Sequence, residues 1–414
     1  MGEWLTLAAP ATMGELCELR SSHGDWVRGE VISSSQHTSR LMLFQECHSL
    51  KPGDSVFFRG HSLRIPAGRE VLGRVINALG EPLDDLGPVG GQRILAESQP
   101  VTSPLSRQRV AAPLCTGQRA IDGFLTLGKG QRVGLFAGSG VGKSTLMSEI
   151  AKHAQVDCNV VALVGERGRE VLPFLEDALG SAGRERSVVV VATAEEPALA
   201  RVQAVKTAVR IAEVFREQGA DVMFFLDSIT RLAHAQREIG LGRGEPPGTR
   251  GYPPSVFRVL AQTLERLGNS DSGSITGLIT VLVDGDDLAE PVSDSARSIL
   301  DGHIVLSRKL AEQNIYPAID VLGSVSRLFR DVTTPDQQAD AAALRQIMST
   351  YTQMEELLKL GLYQSGASAD IDKAVQLMPQ IREFCTQRIG DSSSLPQTSQ
   401  KLRALAARIQ RGAA

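Results

Sequence analysis

Short apolar runs recur at close spacing along residues 1–69 and predict β-strands. Glycine, serine and proline residues separate the runs, which is typical of tight turns between antiparallel strands. The runs lie at residues 16–19, 26–32, 41–44 and 55–58. We therefore predict a small N-terminal antiparallel β-barrel over residues 1–69.

From residue 70 the pattern changes, because apolar runs alternate with longer amphipathic stretches. Helical periodicity marks residues 166–179, 197–218 and 230–239, and after residues 100–104 a loop is expected to lead to residues 116–122. The strand-like runs lie at residues 71–76, 133–136, 160–164, 188–191, 222–226, 274–282 and 302–306. This alternation predicts an α/β fold over residues 70–335, an open and mostly parallel sheet with helices on both faces.

The last part of the chain, residues 336–414, contains no strand-like run and predicts a compact helical domain. Gly361 and Gly366 break the pattern after the first helix, and the serine-rich segment 391–400 is expected to be a loop. The predicted helices lie at residues 339–360, 371–389 and 401–411.

Composition restricts the class of protein. Of the 414 residues, 42% are hydrophobic and 22% are charged, which is typical of a soluble globular chain. The net charge of −3, from 44 basic and 47 acidic residues, gives no basic surface for nucleic acid. The five cysteines form no C-x-x-C pair, so we expect reduced thiols in a cytoplasmic protein. No apolar run approaches the length of a membrane span, and the N-terminus does not resemble a secretory signal.

A glycine-rich segment follows the apolar run at 133–136 and matches the phosphate-binding loop pattern, with Ala137 in place of its first glycine. Such a loop turns backbone N–H groups toward one point, at which the following helix also directs its positive end. Lys143 would reach the β- and γ-phosphates, and the Ser144 hydroxyl would bind Mg²⁺. The predicted nucleotide-binding residues of this loop are Gly138, Ser139, Gly140, Val141, Gly142, Lys143, Ser144 and Thr145.

Two carboxylates follow apolar strands of the same predicted sheet. Asp227 ends the run at 222–226, where phosphate-loop enzymes place the aspartate that supports Mg²⁺. Glu166 follows the run at 160–164, and the carboxyl ends of parallel strands face the ligand crevice. We interpret Glu166 as the group that orients and polarises the attacking water. The alternative is a glutamate that interacts with the dipole at a helix N-terminus.

Hydrolysis also requires a cation, besides Lys143, on the charge that develops at the γ-phosphate; such an arginine contributes about 10³–10⁵ in rate. Arg327, Arg231 and Arg297 are candidates, and spacing alone does not choose between them. Tyr316 is a candidate for stacking on adenine, with ordinary interior packing as the alternative.

Five segments together resemble the catalytic subunits of rotary ATPases and their export relatives. In chain order they read AGSGVGKS, GERGRE, FFLDSITR, YPAID and SVSR. Further segments at 235–239, 244–247, 251–257 and 302–308 resemble the flagellar type III protein export ATPase, whose close sibling is the injectisome secretion ATPase. The resemblance covers residues 14–374, and the sequence AQRE at 235–238 favours the flagellar branch.

The resemblance implies a RecA-like core and a homohexameric ring that hydrolyses ATP with Mg²⁺ at subunit interfaces. It implies that hydrolysis drives chaperone release, unfolding and export of flagellar substrates. The site residues that it implies are Lys143 and Thr145 on the phosphates, Glu166 on the water, Arg167 and Arg231 around the γ-phosphate, Ser144 and Asp227 at Mg²⁺, Tyr316 on adenine and Arg327 in the neighbouring subunit's site.

The implied partners are a stator-like regulator, a central stalk protein, the membrane export gate and chaperone–substrate complexes that dock on the C-terminal helices. The implied location is cytoplasmic, with peripheral association at the inner face of the cytoplasmic membrane. No nucleic acid is expected among the partners.

Three other classes of protein share parts of this fold and of these motifs. A non-catalytic ring subunit lacks a carboxylate at the position of Glu166. An RNA-dependent helicase of the terminator type needs a basic, aromatic RNA channel, whereas such residues are sparse before Arg69. A rotary ATP synthase β-type subunit needs non-identical partners, whereas one chain here carries both Glu166 and Arg327, which suits a self-complementary ring.

Overall fold

The N-terminal residues form a five-stranded antiparallel sheet. The computed structural model describes residues 4–97, 105, 107–283 and 290–411, so residues 100–104, which precede the loop expected before residue 116, lie outside the described residues. The strands are β1 (Trp4–Leu7), β2 (Leu16–Arg20), β3 (Trp26–Ser34), β4 (Ser39–Leu43) and β5 (Ser55–Phe58). They lie in the order β1-β4-β3-β2-β5. The four predicted strands are confirmed, and β1 is a further strand that the pattern did not indicate.

The remaining strands build a large central sheet and two short ribbons. They are β6 (Arg64–Ala67), β7 (Val75–Asn77), β8 (Gln92–Leu95), β9 (Pro113–Leu114), β10 (Leu127–Gly128), β11 (Arg132–Ala137), β12 (Cys158–Val164), β13 (Ser187–Ala192), β14 (Asp221–Asp227), β15 (Gly268–Asn269), β16 (Ser274–Leu282), β17 (Gly302–Leu306) and β18 (Ile319–Ser326). The central order is β18-β17-β11-β16-β14-β12-β13-β7, with β15 beside β16. Neighbouring strands of the central sheet are parallel, except that β15 is antiparallel to β16 and β18 is antiparallel to β17.

One predicted strand is shorter than expected. The run at 71–76 forms a strand only at β7 (Val75–Asn77), because a 3₁₀ turn occupies Arg69–Val71. The short antiparallel edge strand β18 was also not predicted, since its serines and glycine interrupt the apolar pattern.

Helices cover both faces of the central sheet, as predicted. They are α1 (Arg119–Phe124), α2 (Lys143–His153), α3 (Gly168–Pro173), α4 (Gly180–Glu185), α5 (Ala198–Glu217), α6 (Ile229–Gly242), α7 (Pro254–Glu265), α8 (Pro291–Ile299), α9 (Arg308–Glu312), α10 (Phe329–Val332), α11 (Pro335–Lys359), α12 (Ala369–Cys385) and α13 (Leu395–Arg411). Strand β14 is buried on both faces of the sheet. Phe224 packs in the hydrophobic cluster that contains residues of α5, whereas Phe225 packs in the hydrophobic cluster that contains residues of α2. Both phenylalanines are nearly inaccessible to solvent.

The C-terminal residues are helical, with one correction to the prediction. The segment 391–400 is not a loop throughout, because α13 begins at Leu395. Ser394 and Gln397 form a reciprocal cap: the Gln397 N–H donates to Ser394 Oγ at 3.5 Å, and the Ser394 N–H donates to Gln397 Oε1 at 3.1 Å. The three helices α11, α12 and α13 bury Leu344, Ile381 and Leu402 in the cluster that also contains α2. Among the described residues, no helix combines the length and hydropathy that crossing a bilayer requires.

Candidate active site

The phosphate-binding loop connects β11 to α2, as the sequence predicts. Gly140 and Gly142 have φ values of 77° and 88°, a left-handed conformation that side chains other than glycine rarely adopt. A Cβ atom built at Gly140 has no neighbour within 4 Å, so the backbone, and not lack of space, requires glycine there. No side chain caps the N-terminus of α2. The N-terminus of this helix therefore has the character of an anion site.

Three predicted charged residues come together at the carboxyl edge of the sheet. Lys143 Nζ lies 2.5 Å from Asp227 Oδ1 and 3.7 Å from Glu166 Oε1. These two carboxylates end or follow the adjacent parallel strands β14 and β12. The loop faces a cavity of about 500 Å³. Its lining includes Gly138, Ser139, Gly140, Gly142, Lys143, Ser144, Thr145, Glu166, Arg167, Glu170 and Arg231.

Asp227 is fixed by a hydroxyl that the sequence analysis did not single out. Its side chain is 6% exposed, and its Oδ1 accepts a hydrogen bond from Thr280 Oγ1 at 2.8 Å. Thr280 lies on β16, and Leu226 pairs with Ile279 in the register of β14 and β16. The sequence contained one signal for Thr280, namely a polar residue inside an otherwise apolar strand. Threonine is also common in strands because its β-branched side chain packs well there, so this signal is weak.

Glu166 is positioned to accept a proton. Its side chain is 15% exposed, and its buried Oε1 has no hydrogen-bond partner among the described residues. Burial first, and then the charge of Asp227, raises the pKa of Glu166 above the ordinary value of 4.5. The positive charges of Lys143 and Arg231 oppose this shift. A carboxylate with a raised pKa is a stronger base toward water.

We expect kcat/KM for ATP to fall on the acid side of neutrality, with an apparent pKa above 4.5. If Glu166 activates water, its protonation removes the acceptor for the water proton, and the raised pKa makes this loss begin at a higher pH than for a free glutamate. The measurement is a pH–rate profile with nucleotide binding determined at each pH. An acid limb caused wholly by lost nucleotide binding would contradict this assignment.

Two arginines near the loop occupy different environments. Arg231 lies in the first turn of α6, and a Cβ atom built at Gly165 would come within 2.8 Å of Arg231 Cβ. Glycine at 165 therefore allows α6 to approach the end of β12. Arg231 Nε is buried without a hydrogen-bond partner among the described residues. Arg167 is exposed and lies 3.9 Å from Glu170, so it is free to turn toward a ligand in the cavity.

Tyr316 lies beside the loop without being buried. Its ring carbons Cδ1 and Cε1 are 3.5 Å from a Cβ atom built at Gly142, and the residue is 38% exposed. A half-open aromatic face next to a phosphate loop can stack on a planar base.

Arg327 lies far from the cavity of its own chain. Its N–H donates to the Asp301 carbonyl at 2.9 Å, and the Asp301 N–H donates to the Arg132 carbonyl at 2.8 Å. Arg327 therefore lies near Arg132, at the start of β11, whereas the phosphate-binding loop follows Ala137, at the end of β11. At about 3.3 Å per residue, this separation is about 16 Å along the sheet. The exposed guanidinium donates to the Arg297 carbonyl at 3.1 Å, away from the loop.

The residues present suit Mg²⁺ held together with a phosphate ligand. Among the described residues, no group of three or more His, Cys, Asp or Glu side chains could hold a metal. Mg²⁺ needs no such cage, because it is commonly bound by one or two protein oxygens together with substrate phosphates. Ser144 and Asp227 supply oxygens of this kind beside Lys143.

A nucleoside triphosphate is the ligand that this crevice suits, and the fold and site define a phosphate-loop NTPase. The family model described as ATP synthase alpha/beta family, nucleotide-binding domain, matches residues 117–326. A second model, T3SS EscN ATPase C-terminal domain, matches residues 333–404.

Similarity to known proteins extends over nearly the whole chain. It is 47% identical over 398 residues to the flagellum-specific ATP synthase of Bacillus subtilis, covering 95% of this chain and 91% of that protein. It is 43% identical over 392 residues to the type 3 secretion system ATPase of Xanthomonas euvesicatoria, covering 94% and 89%. The assembled ATPase EscN of enteropathogenic E. coli aligns with a TM-score of 0.90 at 39% identity, covering 98% of each chain, and EscN with its central stalk EscO aligns equally well.

The chain therefore belongs to the family of type III export ATPases, which contains the flagellum-specific ATP synthases and the type 3 secretion system ATPases. It is an ATP-hydrolysing enzyme of type III protein export.

Proposed function

We propose that this chain hydrolyses Mg²⁺-ATP as a homohexameric ring and so drives chaperone release, unfolding and export of flagellar substrates. The observation that carries the catalytic part is the convergence of three charged side chains beside the phosphate-binding loop. Lys143 Nζ lies 2.5 Å from Asp227 and 3.7 Å from Glu166, at the carboxyl edge of a parallel sheet. Without ATP, Lys143 neutralises the two carboxylates; with ATP, it would turn to the β- and γ-phosphates.

In the proposed mechanism the loop N–H groups and the N-terminus of α2 hold the phosphates. Glu166 accepts a hydrogen bond from the attacking water and aligns it with the γ-phosphorus. Lys143, Arg167 and Arg231 stabilise the charge that develops on the equatorial oxygens. Tyr316 packs on the adenine ring.

Ser144 and Asp227 would hold Mg²⁺. The ion supplies charge neutralisation on the β- and γ-phosphate oxygens when it is bound. Thr280 keeps Asp227 oriented, since its hydroxyl donates to Oδ1 at 2.8 Å.

The ring is part of the proposal because the site of one chain is incomplete. Arg327 lies about 16 Å along the sheet from its own phosphate loop, so its exposed guanidinium is available only to a neighbouring subunit. The related ATPase EscN was solved in an assembled form, which supports the same arrangement here.

The flagellar branch is proposed for two reasons. The AQRE segment at 235–238 favours it, and two flagellum-specific relatives are 47% and 46% identical, against 43% to 44% for type 3 secretion relatives. Two other flagellum-specific relatives are 42% and 41% identical. The injectisome branch is the second candidate, since these identities differ little. The proposed partners are a stator-like regulator, a central stalk protein, the export gate and chaperone–substrate complexes, met at the inner face of the cytoplasmic membrane. EscN in complex with its stalk EscO supports the stalk partner.

Deletion of the gene in its own host is expected to remove flagellar filaments and swimming, because their subunits would no longer be exported. Electron microscopy of the cell surface and assays of motility and of secreted proteins measure this. Complementation with the wild-type gene is the control. Normal filaments with loss of an injectisome's secreted proteins would contradict the flagellar assignment and support the second candidate.

A further inference from the structure

The segment that joins α12 to α13, residues 386–394, contacts three parts of the nucleotide-binding region. We call this segment the connector. The Gln387 N–H donates to the Tyr316 carbonyl at 2.9 Å, and the Ser393 N–H donates to the Gly117 carbonyl at 3.1 Å. The Gly390 N–H donates to Glu149 Oε2 on α2 at 2.7 Å. The connector therefore bonds to the phosphate-loop helix and to the residue beside the loop.

Gln387 is the centre of these contacts. The residue is 6% exposed, and both ends of its amide are engaged. Its Oε1 accepts from the Arg119 N–H at 2.5 Å, and its Nε2 donates to the carbonyls of Gly117 and Asp391 at 3.0 Å and 3.1 Å. A buried amide with all these bonds fixes the backbone that carries it, because any shift would leave polar groups unpaired.

The loop that receives these bonds is itself rigidly held. Asp122 is 1% exposed and accepts from the Thr116 hydroxyl at 2.6 Å and from the N–H groups of Thr116 and Gly117 at 3.0 Å and 3.1 Å. The Arg119 guanidinium donates to the Phe384 carbonyl at 2.6 Å and also to the Thr386 carbonyl. Residues 116–122 thus form a rigid loop, to which the Gln387 side chain is hydrogen-bonded.

We propose that Gln387 is a positioning residue for nucleotide binding: its side chain fixes the connector on residues 116–122, and its backbone N–H thereby holds Tyr316 beside the phosphate loop. The inference rests on the proposed role of Tyr316, whose ring carbons lie 3.5 Å from a Cβ atom built at Gly142. Gln387 does not touch the reacting atoms. It acts on the adenine ring through Tyr316. The connector's bond to α2 is at Glu149, more than one turn beyond Lys143, so the N–H groups of the phosphate loop are expected to stay in place.

The test compares ATP with inorganic tripolyphosphate, which has the phosphates but no base. In Gln387→Ala, removal of the side-chain bonds is expected to raise KM for ATP about fivefold to tenfold. Because the phosphate end is intact, kcat and the inhibition constant of tripolyphosphate should stay within about twofold. Gln387→Met keeps the length of the side chain but loses the acceptor and both donors, so its KM should rise about as much as that of Gln387→Ala.

The matched control is Gln380→Ala on α12, where the glutamine contacts Arg408 and not the connector, and its KM should not change. Tyr316→Ala should raise KM at least as much as Gln387→Ala, and the double variant should show no further rise. A thermal melt of each variant verifies folding, and Gln387→Met serves as the test variant if Gln387→Ala does not fold.

The inference would be overturned, while the proposed function stands, by an unchanged KM in the connector variants when Tyr316→Ala raises it, or by additive effects in the double variant. An equal rise in KM and in the tripolyphosphate constant would mean a general structural role and would also overturn it. If Tyr316→Ala itself leaves KM unchanged, the proposed contact between Tyr316 and adenine fails first, and the inference fails with it.

Discussion

Replacing Glu166 by glutamine is expected to lower kcat for ATP by about 10²–10⁴ while ATP still binds. The amide keeps the size of the side chain and can still contact water, but it cannot accept the water proton. The groups proposed to hold the phosphates, the loop N–H groups and Lys143, are unaffected by this change. The loss of the nearby carboxylate also removes a negative charge 3.7 Å from Lys143, which favours nucleotide binding slightly.

The measurement is steady-state hydrolysis together with equilibrium binding of a fluorescent ATP analogue. Glu176→Gln is the matched control, because Glu176 is an exposed glutamate ten residues further along the chain and lies outside the cavity lining. Turnover near the wild-type rate in Glu166→Gln would contradict the proposal that Glu166 activates water.

Replacing Arg327 by alanine is expected to reduce hydrolysis by about 10³–10⁵, or about 4–7 kcal/mol of transition-state stabilisation. The reason is that in the proposed mechanism its guanidinium stabilises the γ-phosphate charge in the neighbouring subunit, since it lies too far from its own loop. ATP binding should change much less than kcat. Arg330→Ala is the matched control, because Arg330 is also exposed and lies three residues further along the chain.

Mixing this variant with Lys143→Ala tests whether the arginine acts between subunits. Each variant alone should be inactive, but an interface that joins an intact loop to an intact Arg327 should work. Random mixing of equal amounts in a ring makes about one interface in four competent. Activity near that fraction of the wild-type level is expected, and mixed rings without any recovery would argue against a contribution from the neighbour.

Much of the site could be predicted because parallel strands bring distant residues to one edge. Lys143, Glu166 and Asp227 each follow an apolar run, and the alternation of strands and helices was enough to place all three at carboxyl ends. Their convergence then followed from topology without any knowledge of distances.

Other features depended on register or on contacts that the local pattern does not encode. Thr280 bonds to Asp227 only because β16 pairs with β14 in one particular register. Gln387 meets Tyr316 through the packing of the C-terminal helices, and no periodicity links two positions so far apart in sequence. The start of α13, in contrast, could have been predicted from Ser394 and Gln397, because their spacing is that of a helix cap. The serine-rich composition of the segment instead favoured a loop.

The central claim is that three strand ends and an adjoining subunit converge on one triphosphate. It is tested most directly by solving the assembled Glu166→Gln variant with Mg²⁺-ATP. The account predicts the γ-phosphate within hydrogen-bond reach of Lys143 and of the neighbour's Arg327, with the ion beside Ser144 and Asp227. A triphosphate bound away from these residues, or a complete site within a single subunit, would contradict the account.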